Sequence, residues 1–158
     1  MKITEKYTFF WKDKIGQWNM TSFKDNNGIT YNCAEQYMFA RKALLFNDPE
    51  MYVKIMQSDS PAEQQKLGRK IRNFDQNVWD RNKVGIVTLG NVFKFSQNKE
   101  LRKILLSTKG TLLVEASPYD NIWGVGLSEN VSTILKEDNW KGENLLGYIL
   151  TNVRDFYL

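Results

Sequence analysis

Three short stretches hold the side chains best suited to chemistry. The first is Tyr31-Asn32-Cys33-Ala34-Glu35-Gln36-Tyr37-Met38-Phe39-Ala40-Arg41-Lys42-Ala43. On a helix, Glu35, Phe39 and Lys42 fall at i, i+4 and i+7 and share one face. A carboxylate, an aromatic ring and an amine on that face suit acid–base or covalent work. A lysine among apolar and acidic neighbours can lose its proton and attack a carbonyl carbon. The plainer reading makes Glu35 a capping-box glutamate three residues after Asn32, and Lys42 a solvated lysine. The second stretch, Leu67-Gly68-Arg69-Lys70, sets two cations behind a glycine. Arg69 and Lys70 suit a phosphate, the guanidinium as a planar fork; equally, they complement the dipole at a helix end. The third runs from Glu115 to Gly126. It offers the Asp120 carboxylate, a Trp123 ring able to stack on a base, and Gly124, which allows close backbone approach. The alternative there is a turn with a core tryptophan and a solvated aspartate. Trp79, with Arg81, Lys94, Phe95, Gln97 and Asn98, forms a looser group in which Trp79 is either core or a stacking platform.

The missing residue types narrow the chemistry further. No histidine occurs in the 158 residues, which excludes Ser-His-Asp and Cys-His mechanisms and every His-ligated metal site. Cys33 is the single cysteine, so an intrachain disulfide or a Cys-based zinc site is excluded too. A lone thiol fits a reducing cytosol, and a cytoplasmic location is expected. Apolar runs are far too short for a bilayer span, and Met1–Lys6 lacks the apolar core of a signal peptide. Neither a metal, a cofactor nor a membrane partner is expected. The net charge of +4 favours anionic partners mildly. Carboxylates, Lys, Arg, Tyr and hydroxyls remain to carry any reaction.

These side chains need elements to position them. With 42% hydrophobic residues, one core can form without staples. No linker or repeat breaks the chain, so a single domain over 1–158 is expected. Tyr7–Trp11 reads as a strand, Asp25–Gly28 as a turn and Ile29–Tyr31 as its return strand. Asn32 is placed to cap a helix from Cys33 to about Phe46. Asp48-Pro49 opens a second helix, and Ser60-Pro61-Ala62-Glu63 a third reaching about Ile71. Asp75 caps a longer one to roughly Phe95. A helix over Lys99–Leu106, a buried strand over Thr111–Glu115 and a glycine-punctuated loop over Asn121–Leu127 follow. The last segment is an amphipathic helix, with Leu145, Ile149 and Val153 at four-residue spacing. The expected fold is α+β, predominantly helical, with a few short strands.

Read in order, the residues resemble the NADAR domain family, also called YbiA-like, over almost the whole chain. The resemblance is carried by Phe10-Trp11, Gln17-Trp18, Tyr31 to Met38 with Lys42-Ala43, and Gly68-Arg69. It continues through Phe74-Asp75 with Trp79, Lys94-Phe95 with Gln97-Asn98, Leu113 to Pro118, Asp120, Trp123 to Gly126 and Asn144 to Gly147. Where one branch of the family has Ser-Asn-Phe, this chain reads Thr21-Ser22-Phe23. The resemblance implies a compact α+β fold without metal and cleavage of an N-glycosidic bond on ribose. Two substrate classes go with it: ADP-ribose attached to guanine in DNA or a nucleoside, the leading expectation, and phosphorylated ribosylaminouracil intermediates of riboflavin synthesis. A module that only binds ADP-ribose or NAD is the non-catalytic alternative. Carried over by motif, Glu35 is the first choice for acid–base or cation-stabilising work and Asp120 the second. Lys42 is a nucleophile able to hold the opened ribose as a Schiff base. Arg69 and Lys70 hold phosphate, Trp79 and Trp123 stack on a base, and Tyr31 and Gly124 complete the substrate-binding set.

Overall fold

Short side-chain acceptors and two prolines start the helices close to where the sequence places them. A computed structural model describes residues 1–158. Asp48 Oδ1 accepts the Met51 N–H at the head of helix α2 (Pro49–Gln57), and Ser60 accepts the Glu63 N–H at the head of α3 (Pro61–Gly68). Asp75 does the same for Val78 at the head of α4 (Gln76–Gln97). Each such cap contributes about 1 kcal/mol. Helix α1 (Ala34–Leu45) departs from expectation: its cap is Cys33, not Asn32, with the sulfur accepting the Gln36 N–H. Helix α3 also stops at Gly68, short of Ile71.

The chain folds as two compact units, residues 17–98 and residues 1–16 with 99–158. In the first, strands β3 (Phe23–Lys24) and β4 (Thr30–Tyr31) pair antiparallel, Phe23 opposite Tyr31, across the expected turn. Helix α1 packs on α2, α3 and α4. Glycine sets two of these approaches. A methyl at Gly68 would overlap the Phe39 ring, and one at Gly90 would overlap the Tyr37 ring. An aromatic group of Phe23, Tyr31, Tyr37 and Phe93 fills the space below α1.

In the second unit, β1 (Lys2–Ile3) runs antiparallel to β2 (Tyr7–Phe10), which runs parallel to β5 (Leu112–Glu115). Phe9, Val114, Ala116, Val125, Leu127 and Ile134 form its core. Helix α5 (Lys99–Leu106) precedes β5, and α6 (Leu145–Asn152) packs on that strand. Asn144 zips the two together: its amide donates to Leu113 O and its Oδ1 accepts the Glu115 N–H. Beyond α6, a wider turn over Val153–Tyr157 holds Arg154 inward. The two-residue strands β1 and β3 were not expected, because two residues are too few to show a period of two. The architecture is the predominantly helical α+β arrangement read from the sequence. No helix is long and apolar enough to cross a membrane.

Candidate active site

The head of α1 sorts its motif residues into two kinds. Gln36 is buried; its amide lies within hydrogen-bond distance of the Ile55, Met56 and Ser58 carbonyls, and its Oε1 accepts the Asn32 N–H at 2.7 Å. Gln64 is also buried. It donates to Ser58 O and Asn32 Oδ1 and accepts from the Cys33 thiol. Asn32 donates to Ser58 O as well. Asn32, Cys33 and Gln36 therefore bind the starts of α1 and α3 to the end of α2. With Cys33 as the cap, the capping-box position falls on Gln36, whose side chain accepts the Asn32 N–H. The Glu35 side chain turns inward and is 4% exposed.

Two turns along the same face, Lys42 is not a solvated lysine. Its ammonium lies 4.7 Å from the Phe74 ring centre, 5.2 Å from Trp79 and 5.6 Å from Phe39. The Gly68 carbonyl accepts from it at 3.4 Å, a long contact. The ring faces attract the charged form. Loss of water around the amine and the nearby Arg69 charge oppose it, and together they hold the Lys42 pKa below the ordinary lysine value. This is how a lysine becomes a usable amine nucleophile. Gly68 makes the geometry possible: lacking a side chain, it lets the end of α3 reach Phe39 and turn its carbonyl to Lys42.

The remaining candidates are placed as follows. Trp79 is 8% exposed, with the Lys42 ammonium against its ring. Arg69 ends α3, exposed, within electrostatic reach of Lys42; Lys70 follows it, also exposed. Tyr31 is fully buried, its ring against Phe23 and Tyr37 and its hydroxyl donating to Asp25. It supports the head of α1 from below. Asp120, Trp123 and Gly124 belong to the other unit, where they build one turn. Asp120 Oδ1 accepts the N–H groups of Ile122 and Trp123 at 2.9 and 2.8 Å. A methyl at Gly124 would press on the Glu115 and Asp120 carbonyls, so its approach to β5 already needs a glycine.

Lys94, which the sequence groups only loosely with Trp79, is fully buried on α4. The signal was present. Val87, Gly90, Asn91, Lys94 and Phe95 follow the three-and-four spacing of a buried helical stripe, and all five are buried.

No group of three or more acidic, Cys or His side chains converges to hold a metal ion. What the geometry defines is a helical α+β chain with a desolvated lysine beside aromatic rings and an arginine. The NADAR domain family profile matches residues 4–156, and the chain belongs to that family. It is 44% identical over 164 residues to N-glycosidase R617 of Acanthamoeba polyphaga mimivirus, covering 96% of each chain. It is 32% identical over 139 residues to the chloroplastic riboflavin biosynthesis protein PYRR of Zea mays, covering 82% of this chain and 20% of that one. The NMR structure of the E. coli protein YbiA superposes with a TM-score of 0.77 at 26% identity, over 98% of this chain and 86% of that one.

Proposed function

We propose that the chain, acting as one domain over 1–158, is an N-glycosidase that cleaves the bond between ribose and a nucleobase. The observation that carries this is the Lys42 amine, set among three aromatic rings with its pKa depressed by burial and by Arg69. The likeness to N-glycosidase R617 over nearly the full length of both chains supports it. In the reaction, the neutral Lys42 amine attacks C1 of the ribose. The C1–N bond breaks, and its electron pair leaves on the base nitrogen, which takes a proton. The nitrogen lone pair then forms the C1=N bond as the C1–O bond of the ring breaks; the C1–O electron pair leaves on the ring oxygen, which takes a proton to become a hydroxyl, and a protonated imine remains on Lys42. Water adds at C1, the amine leaves, and the free sugar is released. Glu35 lies two turns from Lys42 on the same face, about 10 Å of helix rise, a span suited to a ribosyl unit and its base. Its carboxylate offsets the positive charge that builds on the sugar and takes and returns the proton. Arg69 and Lys70 hold phosphate, and Trp79 borders the amine.

The substrate proposed is ADP-ribose joined to guanine in DNA or a nucleoside. The exposed Arg69, within electrostatic reach of the amine, and the exposed Lys70 that follows it in the chain suit a pyrophosphate. The likeness to PYRR favours a second reading, in which a phosphorylated ribosylaminouracil is cleaved. Incubation with each substrate separates them: release of ADP-ribose with restored guanine supports the first, and ribose 5-phosphate from the second compound alone supports the alternative. Tight ADP-ribose binding with turnover of neither means a binding module. In the enzyme, Glu35→Gln lowers the rate roughly a hundredfold or more. Borohydride added during turnover reduces the imine and leaves a sugar adduct on Lys42; a turning-over enzyme that yields no adduct rules out the covalent route.

A further inference from the structure

Besides Asp48, which caps α2 and pairs with Arg72, two charged side chains of the 17–98 unit lie out of water: Glu35 on α1 and Lys94 on α4. The reaction above uses the first and gives the second no task. The two helices run close together here. Gly90 sits against the Tyr37 ring with no room for a side chain, and Tyr37 meets Phe93 edge-on at 6.1 Å. One residue on, buried Asn91 donates to Gln17 Oε1 at 2.8 Å, and the Gln17 carbonyl accepts the Glu35 N–H at 3.2 Å. Lys94 stands three residues after Asn91, on the same face of α4. Cys33, beside Glu35, registers both charges. Its thiol is pushed up to about 11, chiefly by burial; the Gln36 N–H opposes the rise, the Glu35 charge adds to it, and the Glu35 N–H and the Lys94 charge oppose it. A carboxylate and an ammonium taken out of water are each costly unless an opposite charge offsets them.

We infer that Lys94 is a positioning residue for Glu35, supplying the opposite charge that keeps the carboxylate ionised and in place between α1 and α4. The inference rests on the reading of Glu35 as the proton-handling carboxylate and assigns a device that maintains it. An ionised Glu35 is the form that offsets a cationic sugar and accepts a proton. Lys94 itself touches no reacting atom and acts through Glu35.

A double-mutant cycle read by thermal unfolding and by turnover tests it. Lys94→Met and Glu35→Gln each strand one buried charge, and each lowers the unfolding midpoint by about 5 °C or more. The double variant strands neither, so it unfolds above both single variants. In turnover, Lys94→Met lowers kcat about tenfold or more, with KM and the calorimetric Kd for ADP-ribose little changed. In the Glu35→Gln background it costs nothing further. Additive thermal losses, or wild-type kcat in Lys94→Met, overturn the assignment. Should Lys94→Met fail to fold, the double variant decides: recovery supports the assignment, and equal failure overturns it. If the wild type turns over neither substrate, the glycosidase reading falls while the thermal cycle still judges the pair.

Discussion

Arg154, in the unit of residues 1–16 and 99–158, and Lys42, in the unit of residues 17–98, are both cations drawn in from water, and they are treated differently. Arg154 is almost fully buried. One terminal nitrogen donates to Thr108 O, Thr108 Oγ1 and Thr111 O, while the other and Nε grip Asp155 in a two-pronged pair. Lys42 has three rings and one distant carbonyl. Full pairing locks a charge and makes it structural. Incomplete replacement of water leaves an amine that gives up its proton more readily than a solvated lysine, which suits the nucleophilic role proposed for it. The same contrast separates Asn32, Gln36 and Gln64, whose bonds go to backbone and to one another, from the amine two turns along α1.

Replacing Lys42 tests this contrast most severely. Lys42→Met fills the same volume between the rings and removes the proposed nucleophile, so turnover is expected to fall by at least about a thousandfold. Its stability should move the other way. The folded pKa lies below the unfolded value, so the unfolded chain binds more protons between the two, and folding is penalised throughout the range below the folded pKa. The penalty fades as pH rises from the folded pKa toward the unfolded one. At neutral pH the methionine variant therefore unfolds at a higher temperature than the wild type, measured by calorimetry. A lower midpoint would mean that the amine contributes to the fold.

Arg154→Met should show the reverse pattern. It leaves the Thr108 and Thr111 carbonyls and the Asp155 carboxylate without their donor, at a cost of about 3 kcal/mol in denaturant unfolding. Turnover per folded molecule stays near wild type. Arg69→Gln is a smaller perturbation. Removing that charge lets the Lys42 pKa rise, so the rising limb of the pH–rate profile moves to higher pH, and phosphate-bearing substrates bind more weakly. The smallest effect is expected from Asp120→Asn. Asparagine keeps the side-chain oxygen that accepts the Ile122 and Trp123 N–H groups, so a turn-forming Asp120 leaves the rate near wild type. A loss as large as that of Glu35→Gln would support the catalytic role that the family resemblance implies for Asp120.

Much of the frame was legible because its signals are local. Asp48-Pro49, Ser60-Pro61 and Asp75 announce helix starts through their own capping chemistry, and β5 shows as an apolar run. Cys33 was not legible as a cap, since a thiol is a weak acceptor and Asn32 stands next to it. Asn32 is instead drawn to Ser58 and Gln64, residues distant in sequence. Strands β1 and β3 owe their pairing to partners rather than to any pattern of their own.

Residue types and spacing alone settled that histidine chemistry is impossible here, that Glu35, Phe39 and Lys42 share one helical face, and that the fold is mostly helical. These follow from composition and from the 3.6-residue turn, which act within a few residues. The state of each group was decided only by packing. Phe74 and Trp79 reach Lys42 across 32 and 37 positions of chain, Gly68 supplies its carbonyl, and Lys94 is buried in the face of a helix that begins far from Glu35. Desolvation and charge coupling depend on distance in space, and no spacing along the chain encodes it.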